Sequence, residues 1–289
     1  VVDESSDVHT PLTVARIGVA NTREALCYLA AAYYEAQPNV IVAVTGTDGK
    51  TSTAEFARQL FEFQGKAAAS IGTLGVKCEH AALSGLQGSG HTSPDPMTLH
   101  RLLNDLKLGG IEHVAMEASS HGLDQFRIDG VHLDAAAVTT ISRDHLDYHG
   151  TEEAYVTAKM RLFTELLPKG KCAVLNADDM HYPRFRAASE KLGHRIFSYG
   201  WKGEDIRILD VVANAQGLST KLAARGQELS LVLPHYGEFQ LMNMAAAVGL
   251  TLGEMPMTEL LVHCSRLKGV PGRMELVART QSGAVVFID

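Results

Sequence analysis

Short apolar runs alternate with amphipathic stretches along most of the chain, beginning with a clear pair near residue 40. The run "VIVAVT" at 40–45 is continuous, apolar and rich in β-branched residues, which is typical of a strand buried on both faces of a parallel sheet. The stretch "TSTAEFARQLFEFQG" places Phe56, Leu60 and Phe63 on one helical stripe and ends at a glycine. The predicted order is therefore strand, glycine-rich turn, helix.

The same alternation predicts the rest of the fold. Further strands are predicted in "AAASIGTLGV", "HVAMEA", "LDAAAVTTIS", "KCAVLN" and "RIFSYG", and helices in "TREALCYLAAAYYEAQP", "MTLHRLLNDLKLGG", "TEEAYVTAKMRLFTELL" and "FQLMNMAAAVGLTLG". Between about 205 and 234 the pattern changes to three strand-like pieces, "IRILDVVA", "GLSTKLAA" and "ELSLVL". We therefore expect an α/β fold, with a doubly wound, mainly parallel sheet and a small antiparallel addition.

Composition narrows the class of protein. With 46% hydrophobic and 20% charged residues among 289, the chain is an ordinary globular protein rather than a disordered one. The net charge of -7 argues against a broad nucleic-acid-binding surface. No apolar run approaches the roughly 20 residues needed to cross a bilayer, and the acidic N-terminus lacks signal-peptide features. The four cysteines have no disulfide or zinc spacing, so we expect a cytoplasmic protein with no membrane insertion and no nucleic acid partner.

A phosphate-binding loop is predicted at Thr45–Ser52, "TGTDGKTS", between the first strand and its helix. Its two glycines permit a tight turn whose amides, backed by a helix N-terminus, can hold phosphate. Lys50 would reach the terminal phosphates, and the Thr51 hydroxyl would join a magnesium shell. The general nucleotide-loop pattern has a glycine where this chain has Val44, and a glycine turn can also serve tight packing. We favour phosphate binding, because a lysine at a helix start opposes the helix dipole unless an anion is present.

Polar residues follow two later strands near their carboxyl ends, where open α/β sheets bind ligands. Glu117 stands in "HVAMEASSHG", and a buried charge needs a partner. A salt bridge or a magnesium ion would serve, and we favour magnesium. A second cluster, "SRDHLDYHG", contains His145 and could face the same crevice, although such residues also act as loop caps. Lys159, in the helix that follows, is by itself typical of a surface lysine.

Seven motifs, in order along the chain, resemble those of the Mur ligases: "TGTDGKTS", "HTSPDP", "MEASSHGL", "SRDHLDYHG", "AKMRLF", "NADD" and "GRME". The likeness is greatest to the MurE type, which adds the third amino acid to UDP-N-acetylmuramoyl-L-alanyl-D-glutamate in peptidoglycan synthesis. The phosphate loop occurs across the wider ligase family, whereas "MEASSHGL" together with "SRDHLDYHG" is specific to this type. The resemblance covers the chain from Val40 onward.

This resemblance implies a role for each matching residue. The ATP phosphates would contact Gly46, Thr47, Asp48, Gly49, Lys50, Thr51 and Ser52, and the nucleotide would also contact Asn243 and Arg273. Magnesium would be held by Thr51, Glu117 and His145, while Lys159, which is carbamylated in the family, would hold a second ion. The implied catalytic residues are Lys50, Glu117, His145 and Lys159, and the UDP-muramoyl-dipeptide would contact Thr92, Ser93, Ser119, Gln125 and Arg127. The chain departs from the family at Gln240 and Asp48, where Asn is more usual, which affects adenine contact and loop charge.

A reaction and a domain order are also implied. ATP would phosphorylate the D-glutamyl carboxylate, and the amine of a diamino acid would attack the acyl phosphate, so that ADP and phosphate leave. Residues 1–39 would be the tail of an N-terminal UDP-substrate domain with a linker helix, 40–274 the central ATP-binding domain, and 275–289 the start of a truncated C-terminal amino-acid-binding domain. We expect a monomer that uses ATP and Mg²⁺.

Other interpretations stay open. A folylpolyglutamate-synthase-like or cyanophycin-synthetase-like ligase would share the phosphate loop, but not "SRDHLDYHG" together with "HTSPDP". A non-catalytic nucleotide-binding fragment is favoured by the truncated ends. The motifs do not encode which third amino acid is added, because the family selects it in the C-terminal domain.

Overall fold

A single ten-stranded sheet organises the computed structural model, which describes residues 1–5, 15–79, 83, 90–214, 216–253, 255–279 and 285–289. Two short strands, β1 (Val2–Asp3) and β2 (Gly18–Val19), pair in parallel ahead of it. Its own strands are β3 (Val40–Thr45), β4 (Ala68–Gly72), β5 (Gly75–Cys78), β6 (His113–Glu117), β7 (Ala135–Val138), β8 (Cys172–Asn176), β9 (Arg195–Gly200), β10 (Ile206–Asn214), β11 (Gly217–Ala224) and β12 (Gln227–Leu233). Across the sheet they run β12-β11-β10-β9-β8-β7-β3-β6-β4-β5.

Helices connect these strands. They are α1 (Thr22–Tyr34), α2 (Lys50–Phe63), α3 (Pro96–Leu108), α4 (Ser120–Asp124), α5 (Leu146–His149), α6 (Glu152–Arg161), α7 (Tyr182–Lys191), α8 (Glu238–Leu250) and α9 (Met257–His263). Helix α6 continues as a π-helical turn at Leu162–Leu166, and a 3-10 turn follows α9 at Cys264–Arg266. No helix within the described ranges is long and apolar enough to cross a membrane.

The centre of the sheet is β3, which pairs in parallel with β6 on one side and β7 on the other. Its residues alternate between two apolar cores: Val42 and Val44 pack with α2 and α8, whereas Ile41 and Ala43 pack with α3 and α6. Covering both faces explains why the strand is apolar without a break. The predicted doubly wound, mainly parallel α/β sheet is confirmed.

Antiparallel strands close both edges of the sheet. At one edge β4 and β5 form a hairpin, so the predicted single strand "AAASIGTLGV" is two strands separated by Thr73 and Leu74. At the other edge β10 runs parallel to β9, and β11 and β12 then add antiparallel to it. The predicted antiparallel addition is therefore an extension of the main sheet.

Some elements have no strong sequence signal. Helices α4 and α5 are too short to show a helical repeat of apolar residues. A hairpin of β13 (Glu275–Arg279) and β14 (Val285–Ile288) lies at the end of the chain. The proposed domain limits, 1–39, 40–274 and 275–289, stay a prediction, and part of the acidic N-terminal stretch lies outside the described residues.

Candidate active site

The predicted phosphate loop joins the carboxyl end of β3 to the start of α2. Gly49 caps α2 with φ 84°, a left-handed conformation, and a Cβ there would collide with the Asn243 amide oxygen. No side chain caps the helix, and its first turn contains no acidic residue. The first amide N–H groups of α2 are therefore left to a ligand, and the positive end of the helix favours an anion.

Two lysines converge on one carbonyl oxygen of this loop. The Lys50 ammonium donates to the Gly46 carbonyl at 2.9 Å and to the Thr47 carbonyl at 2.7 Å. The Lys159 ammonium donates to the same Gly46 carbonyl at 2.7 Å, and its side chain is buried, not on the surface as its sequence context suggested. Neither lysine forms an ion pair among the residues described. Burial lowers the pKa of both, and the pKa of Lys159 is lowered further by the charge of Lys50.

Glu117 lies at the carboxyl end of β6 with 2% of its surface exposed. Its carboxylate accepts from the Thr73 backbone N–H at 2.8 Å and from the Thr73 hydroxyl at 3.3 Å. A Cβ at Gly72 would collide with this carboxylate, so only glycine fits there. Burial raises the pKa of Glu117, whereas Thr73 and the charge of Lys50 act in the opposite direction. No cation in the described part of the chain forms a salt bridge with Glu117, so the salt-bridge alternative is wrong for these residues.

One cavity of about 330 Å³ opens beside the loop. Seven residues singled out in the sequence line it, namely Lys50, Thr92, Ser93, Ser119, Arg127, His145 and Lys159. Glu117 and Thr51 line a small cleft next to it. Lys50 and His145 therefore share one cavity, and Glu117 lies close enough to Lys50 for each charge to influence the other's pKa.

The residues proposed to hold the dipeptide substrate form one hydrogen-bonded network. The Ser93 hydroxyl lies 3.0 Å from the Ser119 hydroxyl and donates to the Glu117 carbonyl at 3.1 Å. Arg127 donates to the Ser93 carbonyl at 3.0 Å and to the Gln125 side-chain oxygen at 3.1 Å. This network places a guanidinium and several hydroxyls along one wall of the cavity.

Thr73 was missed by the sequence analysis. Its hydroxyl lies 3.1 Å from that of Thr92 as well as contacting Glu117, so it joins the proposed substrate side to the proposed metal side. It follows β4, whose carboxyl end reaches the same edge of the sheet as that of β6. Its position after a parallel strand was the signal that could have identified it.

His121 and His145 lie on another side of the cavity. His145 adopts φ 50°, its side chain is about half exposed, and its Nε2 lies 3.3 Å from an Asp144 carboxylate oxygen. The His121 ring packs on His145 and His149, with centroids 4.8 and 5.5 Å apart. Burial lowers the pKa of His121 and of His149, so both imidazoles are biased toward the neutral form. The Nε2 of His149 is buried and has no hydrogen-bond partner among the residues that the structure describes.

Asn243 and Arg273 reach the loop from the far end of the chain. The Asn243 amide donates to Gln240 at 3.2 Å, and Gln240 donates to the Arg273 carbonyl at 3.2 Å. The side chain of Asp48 is exposed, while its carbonyl accepts from the buried Thr139 hydroxyl at 2.5 Å. The Asp48 carboxylate is solvated, yet its charge still acts on the pKa of Lys50 and of Lys159.

Comparison with known proteins places this geometry in a family. The family described as the Mur ligase middle domain matches residues 44–251. This range includes the phosphate loop, Glu117 and the three histidines His121, His145 and His149. The chain belongs to the Mur ligase family. A relative from Mesorhizobium japonicum, UDP-N-acetylmuramoyl-L-alanyl-D-glutamate--2,6-diaminopimelate ligase, is 42% identical over 294 residues, which cover 100% of this chain and 59% of the relative. This Mur ligase chain thus spans little more than half the length of such a relative.

Solved structures agree on the fold. A structure of UDP-N-acetylmuramoyl-L-alanyl-D-glutamate--2,6-diaminopimelate ligase superposes with a TM-score of 0.80 at 29% identity, over 94% of this chain and 56% of that one. The apo form of FPGS from L. casei has a TM-score of 0.72 at 16% identity, over 96% of this chain and 74% of that one. The second likeness is one of fold alone.

Proposed function

We propose that this chain is the ATP-binding part of a ligase that joins the D-glutamyl carboxylate of UDP-N-acetylmuramoyl-L-alanyl-D-glutamate to a diamino acid. The single observation that supports it most is the pair of lysines, half-buried Lys50 and buried Lys159, which share the Gly46 carbonyl and form no ion pair with the carboxylates of the described residues. Two desolvated amines at a loop of free amides are suited to a highly charged anion. The names of the relatives favour 2,6-diaminopimelate as the diamino acid.

The residues present fit magnesium. Among the described residues no three His, Cys, Asp or Glu side chains come close enough to hold a metal by themselves. Mg²⁺ usually takes one or two protein ligands and completes its shell with phosphate and water. Thr51, Glu117 and His145 would supply those ligands, and the bound ion would neutralise phosphate charge. Glu117 suits this role because it is buried, oriented by Thr73 and free of a cationic partner.

In the proposed reaction the main task of the protein is to position the ATP phosphate and the D-glutamyl carboxylate. The phosphate loop and Lys50 would hold the terminal phosphate of ATP, while Arg127 and the serines would place the D-glutamyl carboxylate beside it. The carboxylate oxygen attacks the terminal phosphorus, ADP leaves, and the amine of the diamino acid then displaces phosphate from the acyl phosphate. Alignment and charge neutralisation supply most of the rate in phosphoryl transfer.

Carbamylation of Lys159 is part of the same proposal. A lysine amine reacts with carbon dioxide in its neutral form, and burial lowers the pKa of Lys159, which favours that form. A carbamate there would be an anion able to hold a second ion near the terminal phosphate. We also propose a cytoplasmic location, which the spacing of the four cysteines along the sequence favours, because it matches neither a disulfide framework nor a zinc site.

Calorimetry and a ligation assay together test the proposal. The 289-residue chain is titrated with a non-hydrolysable ATP analogue, with and without Mg²⁺, and the protein encoded by the whole reading frame is assayed with UDP-N-acetylmuramoyl-L-alanyl-D-glutamate and 2,6-diaminopimelate. We expect Mg²⁺-dependent binding in the first experiment and amide formation with ADP release in the second. Binding without ligation would favour a non-catalytic nucleotide-binding role, and ligation of glutamate to a folate would favour the folylpolyglutamate-synthase-like alternative.

A further inference from the structure

Tyr155, in α6, contacts three residues of the site but was given no role by the sequence analysis. Its side chain is fully buried, and its hydroxyl lies 2.8 Å from the hydroxyl of Thr47 in the phosphate loop. The Lys159 ammonium lies 4.4 Å from the centre of its ring, and its ring centroid is 6.3 Å from that of His145. One rigid aromatic side chain therefore touches the loop and both of the flanking groups.

The other hydrogen bonds of Thr47 favour the Tyr155 hydroxyl as the donor. The Thr47 hydroxyl lies 3.1 Å from the Ser142 carbonyl, which can only accept, and 2.9 Å from the Ser142 backbone N–H, which can only donate. A hydroxyl has one proton and two lone pairs. If the proton goes to the Ser142 carbonyl, the two lone pairs accept from the Ser142 N–H and from the Tyr155 hydroxyl. The proton and both lone pairs of the Thr47 hydroxyl then take part in hydrogen bonds, and Tyr155 donates one of them.

This bond reaches the loop backbone. The Thr47 backbone N–H donates to the Thr140 carbonyl at 2.7 Å, and the Thr47 carbonyl accepts from Lys50. Fixing the Thr47 side chain therefore also fixes the peptide groups on either side of it. A loop that is already in its binding conformation loses less entropy when the ligand arrives.

We infer that Tyr155 is a positioning residue: its hydroxyl holds Thr47, and thereby the phosphate loop, in the conformation that receives the nucleotide phosphates. The inference rests on the proposed function, because it names a residue that supports the proposed nucleotide site. A purely space-filling role is the alternative, and it predicts that only the stability of the fold depends on the hydroxyl.

Three variants of the 289-residue chain separate these roles. Tyr155→Phe removes the hydroxyl alone, and Thr47→Val removes its partner. Tyr199→Phe is the matched control, since Tyr199 is equally buried and its hydroxyl donates to the Val138 carbonyl of β7 at 3.1 Å and not to a side chain of the loop. Each variant is titrated by calorimetry with a non-hydrolysable ATP analogue and Mg²⁺.

We expect Tyr155→Phe to weaken nucleotide binding about fivefold, the usual size of one lost hydrogen bond, and Tyr199→Phe to leave it unchanged. The double variant of Tyr155→Phe with Thr47→Val should bind no more weakly than Thr47→Val alone, because both changes remove the same bond. Wild-type affinity in a folded Tyr155→Phe chain, or equal losses in the two tyrosine variants, would overturn the inference.

Hydrogen exchange tests the inference without nucleotide. In the nucleotide-free chain, Tyr155→Phe should speed exchange of the Thr47 amide about fivefold, whereas Tyr199→Phe should not. Unchanged exchange at Thr47 contradicts the inference whatever the nucleotide affinity is. A wild-type chain that binds no nucleotide contradicts the proposed function instead, and the exchange measurement still decides the role of Tyr155. If Tyr155→Phe fails to fold, Thr47→Val tests the same bond from its other end.

Discussion

Helix α2 contains two cations in contrasting surroundings, the buried Arg58 and the half-buried Lys50. Arg58, in the middle of the helix, donates to the carboxylates of Glu55 and Glu62 at 3.0 and 2.5 Å. Lys50, at the start of the helix, donates to two backbone carbonyls and forms no ion pair with the residues that the structure describes. Burial alone would lower the pKa of Arg58, but its bonds to the two carboxylates raise it, whereas burial leaves the pKa of Lys50 lowered. Arg58 is therefore compensated within the fold, whereas Lys50 has no ion-pair partner in the described part of the chain, which supports the proposal that it binds an external anion.

Two carboxylates repeat this contrast. Half-buried Glu55 accepts from Arg58 and from the Ser70 hydroxyl at 2.8 Å, so its charge is balanced within the protein. Buried Glu117 interacts with Thr73 and with the Thr51 side chain, and no cation among the described residues forms an ion pair with it. The charges of Lys50 and Glu117, at the carboxyl edge of the sheet, are thus less compensated than those of Glu55 and Arg58, farther along α2. Such uncompensated groups are typical of binding sites.

The largest expected effect separates activity from stability at Lys50. In the protein encoded by the whole reading frame, Lys50→Ala should lower ATP turnover by about a thousandfold or more, because the charge that stabilises the transferred phosphate is lost. The midpoint of thermal unfolding should stay close to that of the wild type, since no ion pair is broken. Steady-state turnover and calorimetric unfolding measure the two quantities. Normal turnover in the variant would remove Lys50 from its proposed role.

The second largest effect is expected at Arg58, where stability should fall while nucleotide binding is kept. Arg58→Met leaves the carboxylates of Glu55 and Glu62 without their cation, which should lower the free energy of unfolding by about 3 kcal/mol. Urea denaturation of the 289-residue chain measures this loss. Nucleotide affinity of the folded variant should match that of the wild type, because Arg58 does not line the cavity. A variant that is stable but cannot bind nucleotide would contradict the assignment of Arg58 to the fold.

Much of the fold could be predicted from local sequence. The strand at Val40–Thr45 was predicted with the bounds it has in the structure, because a strand covered on both faces must be apolar throughout. The turn at Thr73 was missed, because Gly72 and Gly75 were interpreted as parts of one strand. The short helix α5 was missed because four residues, Leu146 and three polar ones, are too few to show a helical repeat. The hydrophobic pattern of the sequence therefore identifies long, buried elements. It does not identify short elements whose conformation depends on neighbouring parts of the fold.

The site was predictable to a different degree. Residues in one contiguous motif, such as Lys50 and Thr51, could be assigned from the sequence because the helix N-terminus places them. The contacts of Thr73 and Tyr155 could not be assigned, since their partners lie 44 and 108 residues away along the chain, although the position of Thr73 after a strand marks it as a candidate. The burial of Lys159 was also hidden, because a helical lysine is usually exposed. Only the packing of α6 against the loop reveals it.

The smallest expected effect concerns Lys159, which can be tested through the pH dependence of stability. A lysine whose pKa is lowered in the folded state binds fewer protons there than in the unfolded chain, so wild-type stability should rise with pH between that lowered pKa and the ordinary value of 10.5. Lys159→Met lacks this group. Within that window, the free energy of unfolding of the wild type should therefore rise relative to that of the variant by at most about 1.4 kcal/mol per pH unit.

Urea denaturation of both chains in buffer free of carbon dioxide, at a series of pH values up to 10.5, measures the difference. Because both chains keep Lys50 and the other titratable groups, most other pH effects cancel in the comparison. Parallel stability curves would mean that Lys159 titrates as an exposed lysine does, and the contrast between compensated and uncompensated charges would then rest on Lys50 and Glu117 alone. A wild-type curve that rises relative to that of the variant as the pH increases would show that the fold favours the neutral form of this amine, which is the form that carbamylation requires.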